Sequence, residues 1–245
     1  MPQNTFDAHV APTYDADAAD MFDPAVLDPA VGALAALAGD GAVLELAVGT
    51  GRVALPLSRR GVEVHGIDIS THMVDELRAK PGGAAIPVTI GDMATTRLDR
   101  RFRLAYVVFN TITNLTTQDE QVRCFQNVAD HLEAGGRFVV EVFLPELRRL
   151  PPGDTHREFT VTPTHLGFDE YDLVANICRS NHWFLRDGRL QVFVSTHRYV
   201  WPAEMDLMAR MAGLELEDRW GGWAREPYTA DSTETVSVWR KTVPS

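Results

Sequence analysis

The chain of 245 residues is long enough for one α/β domain with an elaboration, and its 45% hydrophobic content supports a substantial core. Its 23 Lys and Arg against 34 Asp and Glu give a formal net charge of −11, which argues against a nucleic-acid or anionic-membrane partner, since both favour a basic patch. The opening MPQNTFDAHVAPTYDADAAD lacks a basic or apolar targeting segment and no apolar run approaches a membrane span, so a cytoplasmic location is expected.

In chain order, the first strong signal is VLELAVGTGRVALPLSRRGVEVHGIDIS, Val43 to Ser70. It reads as strand, tight glycine turn, helix from Arg52 to Ser58, and strand. Glu45 closes the first apolar run and Asp68 the second, so parallel pairing brings both carboxylates to one sheet edge, where open α/β sheets bind ligands. Gly49 and Gly51 permit a sharp turn and close backbone approach. The amides of the helix start point into the same crevice. A third strand, Val88 to Met93, ends in Gly91-Asp92-Met93. A fourth, Leu104 to Phe109, ends at Asn110, and a helix over Gln118 to Leu132 carries Val122, Phe125, Val128 and Leu132 at helical spacing before Gly135-Gly136 ends it. The fifth strand, Gly135 to Phe143, completes the alternation of a doubly wound parallel sheet.

GTGRVA also satisfies the loose dinucleotide pattern, which alone is weak. A pyrophosphate at this turn would be repelled by Glu45. Asp68 is placed to accept ribose hydroxyls, and Asp92 an adenine amino group. Three acids without a phosphate clamp suit a cationic adenosine. At these residues the chain resembles the class I S-adenosylmethionine (SAM) dependent methyltransferases of specialised metabolism, over residues 10–145 above all. Glu45, Ala47, Gly49 and Gly51 match the family's E/D-x-G-x-G-x-G turn, Asp68 its ribose acid, and Asp92 with Met93 its adenine site. Ala47 departs from the pattern, since it stands at the first glycine. The resemblance implies SAM as cofactor, held by Tyr14, Glu45, Ala47, Gly49, Thr50, Gly51, Arg52, Asp68, Ile69, Met73, Asp92, Met93, Phe109 and Asn110. It also implies a Rossmann-like, seven-stranded α/β sheet with its last strand antiparallel, and a lid role for Tyr14, whose alternative is a helix-cap segment capped by Asp15.

After Phe143 the rhythm changes: EFTVT, YDLVANICRS, HWFL and LQVFVSTHRYVW read as antiparallel strands, with a tight turn at Asp187-Gly188. They form an inserted β cap over the sheet edge. A helix follows Trp201-Pro202, with Met205, Met208 and Met211 on one face and Gly213 at its end, and LELEDRW and ETVSVWRK supply the last two strands. The expected organisation is N-terminal lid helices over 1–40, the SAM-binding core over 41–143, a substrate-binding cap over 144–200, and a C-terminal helix with two core strands over 201–245.

Methyl transfer from a sulfonium depends chiefly on alignment, with a base useful where the acceptor carries a proton. The candidate bases are Glu141, His182 and His197; each histidine is equally readable as a packed or solvent-facing residue, and a buried Glu141 needs partners. Phe143, Tyr171, Trp183, Trp223 and Tyr228 are candidates for an aromatic substrate site, with ordinary packing as the alternative. Asn110-Thr111-Ile112-Thr113 lacks the Asn/Asp-Pro-Pro-Tyr/Phe signature of enzymes that methylate DNA bases or glutamine. Cys124 and Cys178 read as reduced structural thiols, and the scattered histidines suggest no metal. The expected function is methylation of a nitrogen or oxygen of a small-molecule acceptor, with no nucleic acid or membrane partner and a homodimer left open. An NAD(P)-dependent oxidoreductase and a non-catalytic SAM-binding accessory protein remain as alternatives.

Overall fold

The computed structural model describes residues 6–186 and 188–242, so Asp187, half of the anticipated hairpin tip, lies outside the described residues. The N-terminal part holds a short helix α1 (Tyr14–Asp17) and a longer α2 (Pro24–Ala38). Asp23 caps α2 by accepting from the Ala25 N–H at 2.8 Å, and Pro24 fits the first helical position because its missing donor is not needed there. Strands and helices then alternate as β1 (Val43–Leu46), α3 (Ala54–Arg59), β2 (Val64–Asp68), α4 (Thr71–Ala79), β3 (Val88–Ile90), β4 (Phe102–Val107), α5 (Gln118–His131) and β5 (Leu132–Phe143). Four further strands, β6 (His156–Val161), β7 (His165–Asp172), β8 (Ile177–Arg186) and β9 (Arg189–Arg198), precede α6 (Pro202–Met211), β10 (Leu214–Trp220) and β11 (Glu234–Lys241).

The main sheet has seven strands in the order β10-β11-β5-β4-β1-β2-β3. All neighbours from β5 to β3 run parallel, whereas β11 lies antiparallel between β5 and β10. Its central strands are apolar on both sides because helices cover both faces. One core layer joins Phe125 and Val128 of α5 and Met205 and Met208 of α6 to Phe138 and Trp239 of the sheet. The other joins Val31 and Leu34 of α2 and Leu55 and Leu57 of α3 to Val43, Leu104 and Val139.

The structure corrects several local expectations. The helix after the glycine turn starts at Ala54 rather than Arg52, and β3 ends at Ile90, leaving Gly91 to Met93 in the following turn. Helix α5 closes at His131, and the chain enters β5 directly. Gly135 and Gly136 lie inside that strand at a register shift: Gly135 has φ +72°, and a Cβ on Gly136 would sit 3.0 Å from the Glu133 carbonyl oxygen. Asp15 lies within α1 and does not cap it. On α6 the buried face is Met205 and Met208, while Met211 is 65% exposed.

The second sheet, β6-β7-β8-β9, is antiparallel throughout. Here YDLVANICRS is not one strand: Tyr171-Asp172 end β7, the chain turns through 173–176 with Asn176 at φ +56°, and β8 starts at Ile177. The run HLGFDE, unassigned in the sequence, forms most of β7. With the true register, Asp169, Ser180 and Ser195 form one row across β7, β8 and β9, and Tyr171, Cys178 and His197 form the next row on the same face.

Candidate active site

At the carboxyl edge of the parallel strands the backbone turns sharply from β1 into α3. Ala47, Gly49 and Gly51 have φ of +55°, +55° and +82°, so the alanine occupies a conformation suited to glycine. Gly51 is required twice over, since a Cβ would stand 2.3 Å from Leu77 Cδ1. The turn is tied to the end of β2: the Gly49 N–H donates to Asp68 Oδ2 at 2.7 Å, and the Ser70 N–H donates to Oδ1 at 2.8 Å. Burial raises the Asp68 carboxyl above its ordinary range, against the N–H groups that favour its anion.

A first cavity of about 250 Å³ opens here. Of the anticipated cofactor residues, Ala47, Asp68, Ile69, Met73, Asp92 and Met93 line it. Phe6, Thr111 to Thr116 in part, and Val194 to His197 of the cap also line it, none of which the sequence singled out except His197. No lysine or arginine stands among the described residues of its wall. Such a cavity suits a cationic nucleoside and disfavours a pyrophosphate, which has no counter-charge there.

The remaining anticipated cofactor residues do not line this cavity. Glu45 is buried and accepts from Tyr106 Oη at 2.7 Å; burial pushes its carboxyl up to about 8, despite that bond and nearby Arg52. Thr50 Oγ1 donates to Asp15 at 2.6 Å, and Lys80 bridges Asp15 and the Thr50 carbonyl, tying α1 to the glycine turn. Tyr14 packs edge-on against Phe6, with ring centroids 5.7 Å apart, and Arg52 lies 4.8 Å from the centre of the Phe109 ring.

A second cavity, of about 370 Å³, lies between the cap and the ends of β4, β5 and β11. His197 is the one described residue that lines both cavities. Its Nε2 is 2.8 Å from Ser195 Oγ and its Nδ1 is 3.3 Å from Thr113 Oγ1. Burial holds the imidazole below its usual pKa, so the neutral ring prevails at neutral pH. Tyr171, Phe143 and Asn110 also line this second cavity, together with Asp169, Cys178, Ser180, Arg157 and Glu234, which sequence reasoning missed. Asn110 thus fronts the second cavity rather than the first. Phe109 and Asn110 are consecutive left-handed residues, φ +56° and +59°, and both are clamped: the Phe109 N–H donates to Glu141 Oε2 at 2.5 Å and the Phe143 N–H donates to Asn110 Oδ1 at 3.1 Å.

Glu141 has its other oxygen occupied too, by Trp223 Nε1 at 2.5 Å, and lines neither cavity. This answers the cost of burying it: both oxygens are engaged by N–H donors. His182 shares the inner cap face with His197 but lies further out, its Nδ1 3.0 Å from His165 Nε2 and its ring stacked on His165 and Phe184. Trp183, next in the strand, points to the opposite face, stacked on Phe168 at 4.9 Å. Tyr228 lines a separate surface cavity with Arg148 and Arg149. The structure therefore brings His197, Tyr171 and Phe143 together and leaves His182, Trp183, Trp223 and Tyr228 outside both cavities.

A cavity walled by Asp68 and Asp92 at the carboxyl edge of a parallel sheet, beside a second cavity roofed by an antiparallel β sheet, fits a group-transfer enzyme with a cationic nucleoside cofactor. Residues 43–136 match the family model described as a methyltransferase domain. The chain is 37% identical to the CcbJ methyltransferase of Streptomyces caelestis, whose structure superposes with a TM-score of 0.84 over 96% of each chain. It is 29% identical over 241 residues to the cypemycin N-terminal methyltransferase of a Streptomyces species, spanning 92% of this chain and 96% of the relative. The fold alone is shared with SAM-bound CalS10, an amino pentose methyltransferase of Micromonospora echinaspora involved in calicheamicin biosynthesis, at 20% identity, TM-score 0.70, and coverage of 93% and 96%. The chain belongs to the class I SAM-dependent methyltransferases of natural-product type, and SAM is its cofactor.

Proposed function

We propose that the enzyme methylates a nitrogen of a small-molecule acceptor seated in the second cavity. The observation that carries this reading is the acidic wall of the second cavity, Asp169 and Glu234, which meets the first cavity at His197. The name of a relative agrees, since it is an N-terminal methyltransferase.

SAM supplies an electrophilic methyl on a sulfonium, which departs as a neutral thioether. Asp68 would hold the ribose and Asp92 with Met93 the adenine, while Ala47 and the glycine turn leave room for the amino-acid end. The cap residues Val194 to His197 form part of the wall of that cavity. His197 takes the proton that an ammonium acceptor must shed before its lone pair can attack. Alignment in the enclosed site supplies most of the acceleration, on the order of 7–11 kcal/mol. General-base assistance is typically about a hundredfold to ten-thousandfold, and an imidazole held below its usual pKa is a weak base for an ammonium, so its share here lies at or below the low end of that range.

The test is transfer of an isotopically labelled methyl to a panel of amines and their hydroxyl counterparts, with calorimetry of the demethylated cofactor. Labelled amines are expected, and Asp68→Ala is expected to weaken cofactor affinity at least about tenfold, because hydrogen bonds to a charged group each contribute roughly 1.5–3 kcal/mol. Transfer to alcohols alone would refute the nitrogen reading, and an unchanged affinity in folded Asp68→Ala would refute the ribose assignment.

A further inference from the structure

We propose that Asp169 is the specificity-determining residue of the acceptor site: its carboxylate receives the acceptor's ammonium and selects amines over neutral molecules of the same shape. This rests on the reading of the second cavity as the acceptor site.

Asp169 lines that cavity from β7, in the row next to His197 on the inner face of the cap. Its oxygens are oriented by neutral donors, Ser180 Oγ at 2.6 Å to Oδ1 and Tyr171 Oη at 3.2 Å to Oδ2. Both donors come from the same cap sheet, so the carboxylate is fixed in direction. Arg157 stands directly opposite on β6, but its guanidinium is ion-paired with Glu146. No lysine, arginine or histidine among the described residues is within ion-pair distance of Asp169. A carboxylate held half-buried by two hydroxyls and the weakly donating Cys178 thiol retains unused acceptor capacity, and a cationic N–H donor is its strongest available partner. Glu234, on the opposite wall, adds to the negative field, while His197 is neutral. A carboxylate-bearing acceptor would meet both acids. An alcohol would bind without gaining the charge-assisted bond. The other groups facing Asp169, namely Ser180, Tyr171 and Cys178, are uncharged at neutral pH, Cys178 because burial pushes its thiol up to about 12.

The experiment uses cyclohexylamine and cyclohexanol as probes, titrated by ligand-observed NMR into full-length enzyme saturated with the demethylated cofactor at neutral pH. The amine is expected to bind at least about tenfold more tightly than the alcohol, the lower end for a hydrogen bond to a charged group. Asp169→Asn should erase that difference while leaving cofactor affinity unchanged; its amide oxygen still accepts from Ser180 or Tyr171, so the cap fold is kept. Equal binding of the two probes by wild type, or a preference that survives in Asp169→Asn, would overturn the assignment. Ser180→Trp, which fills the cavity, separates this from the parent reading. Methyl transfer to an active amine that persists in Ser180→Trp would show that the acceptor binds elsewhere. Transfer lost in Ser180→Trp but unaltered in KM by Asp169→Asn would overturn Asp169 alone.

Discussion

Ala47 is held where the chain wants glycine, at φ +55° in the turn that lines the cofactor cavity. The left-handed conformation costs an L-residue roughly 1–2 kcal/mol, and replacing alanine by glycine returns about 0.4–1 kcal/mol of unfolded-chain entropy. Ala47→Gly is therefore expected to stabilise the protein by up to about 1 kcal/mol, a rise of roughly 2–4 °C in Tm for a chain of this size. Calorimetry that shows a lower Tm would contradict the strain at this position. The neighbouring Glu45 makes an opposite, pH-dependent contribution. Burial pushes its carboxyl up to about 8 in the folded state, against an ordinary 4.5, so the folded state binds the extra proton. The stability this supplies is fully present below the unfolded pKa, declines as pH rises, and is gone once pH passes the folded value. Glu45→Gln removes the titration and keeps an acceptor for Tyr106. Urea midpoints should thus converge on, then exceed, those of wild type as pH rises from about 4.5 to about 8; parallel curves would exclude a raised Glu45.

Two elements, the end of β5 and the end of β9, carry carboxylate and imidazole candidates for the same proton, and their geometry separates them. Glu141 accepts from Phe109 and Trp223, and a glutamine would face one of those donors with its own N–H. Glu141→Gln should cost about 1–3 kcal/mol of stability and raise the acceptor KM by loosening the Phe109-Asn110 bend, with the pH dependence of turnover kept. For His197, whose buried imidazole is held below its ordinary value, kcat should rise through the acid range and level off when the ring is neutral. His197→Asn should abolish that limb and lower single-turnover rates by less than about a hundredfold. If Glu141→Gln loses the limb instead, the proton acceptor is the carboxylate.

For the molecule as a whole, the sheet and the cofactor edge were legible because parallel strands all terminate at one edge: a strand that ends at Asp68, or one that stops just before Asp92, brings its acid there whatever the remaining packing. The acceptor side was not legible in the same way. In an antiparallel cap the face taken by each side chain depends on register, and a slip of one residue reverses it. Reading Tyr171 to Ser180 through the turn at 173–176 left the register of β7 and β8 undefined, so Trp183 and His197 could not be assigned to opposite faces, and Asp169 lay in a strand not recognised. Alternation within β9 does place Ser195 and His197 on one side, the one sequence signal for the shared wall. The path of the chain through this region also sets where natural or laboratory recombination can cut. The insertion departs after Phe143 and returns at Trp201, with Leu144 and Trp201 bordering one surface cavity, and no strand of the main sheet lies between them. Yet Val194 to His197, within the insertion, line the first cavity, where the proposed reading seats the cofactor. A graft meant to introduce a new acceptor while preserving the methyl donor must rejoin this chain inside β9, before Val194, and not at the visible seam beside α6.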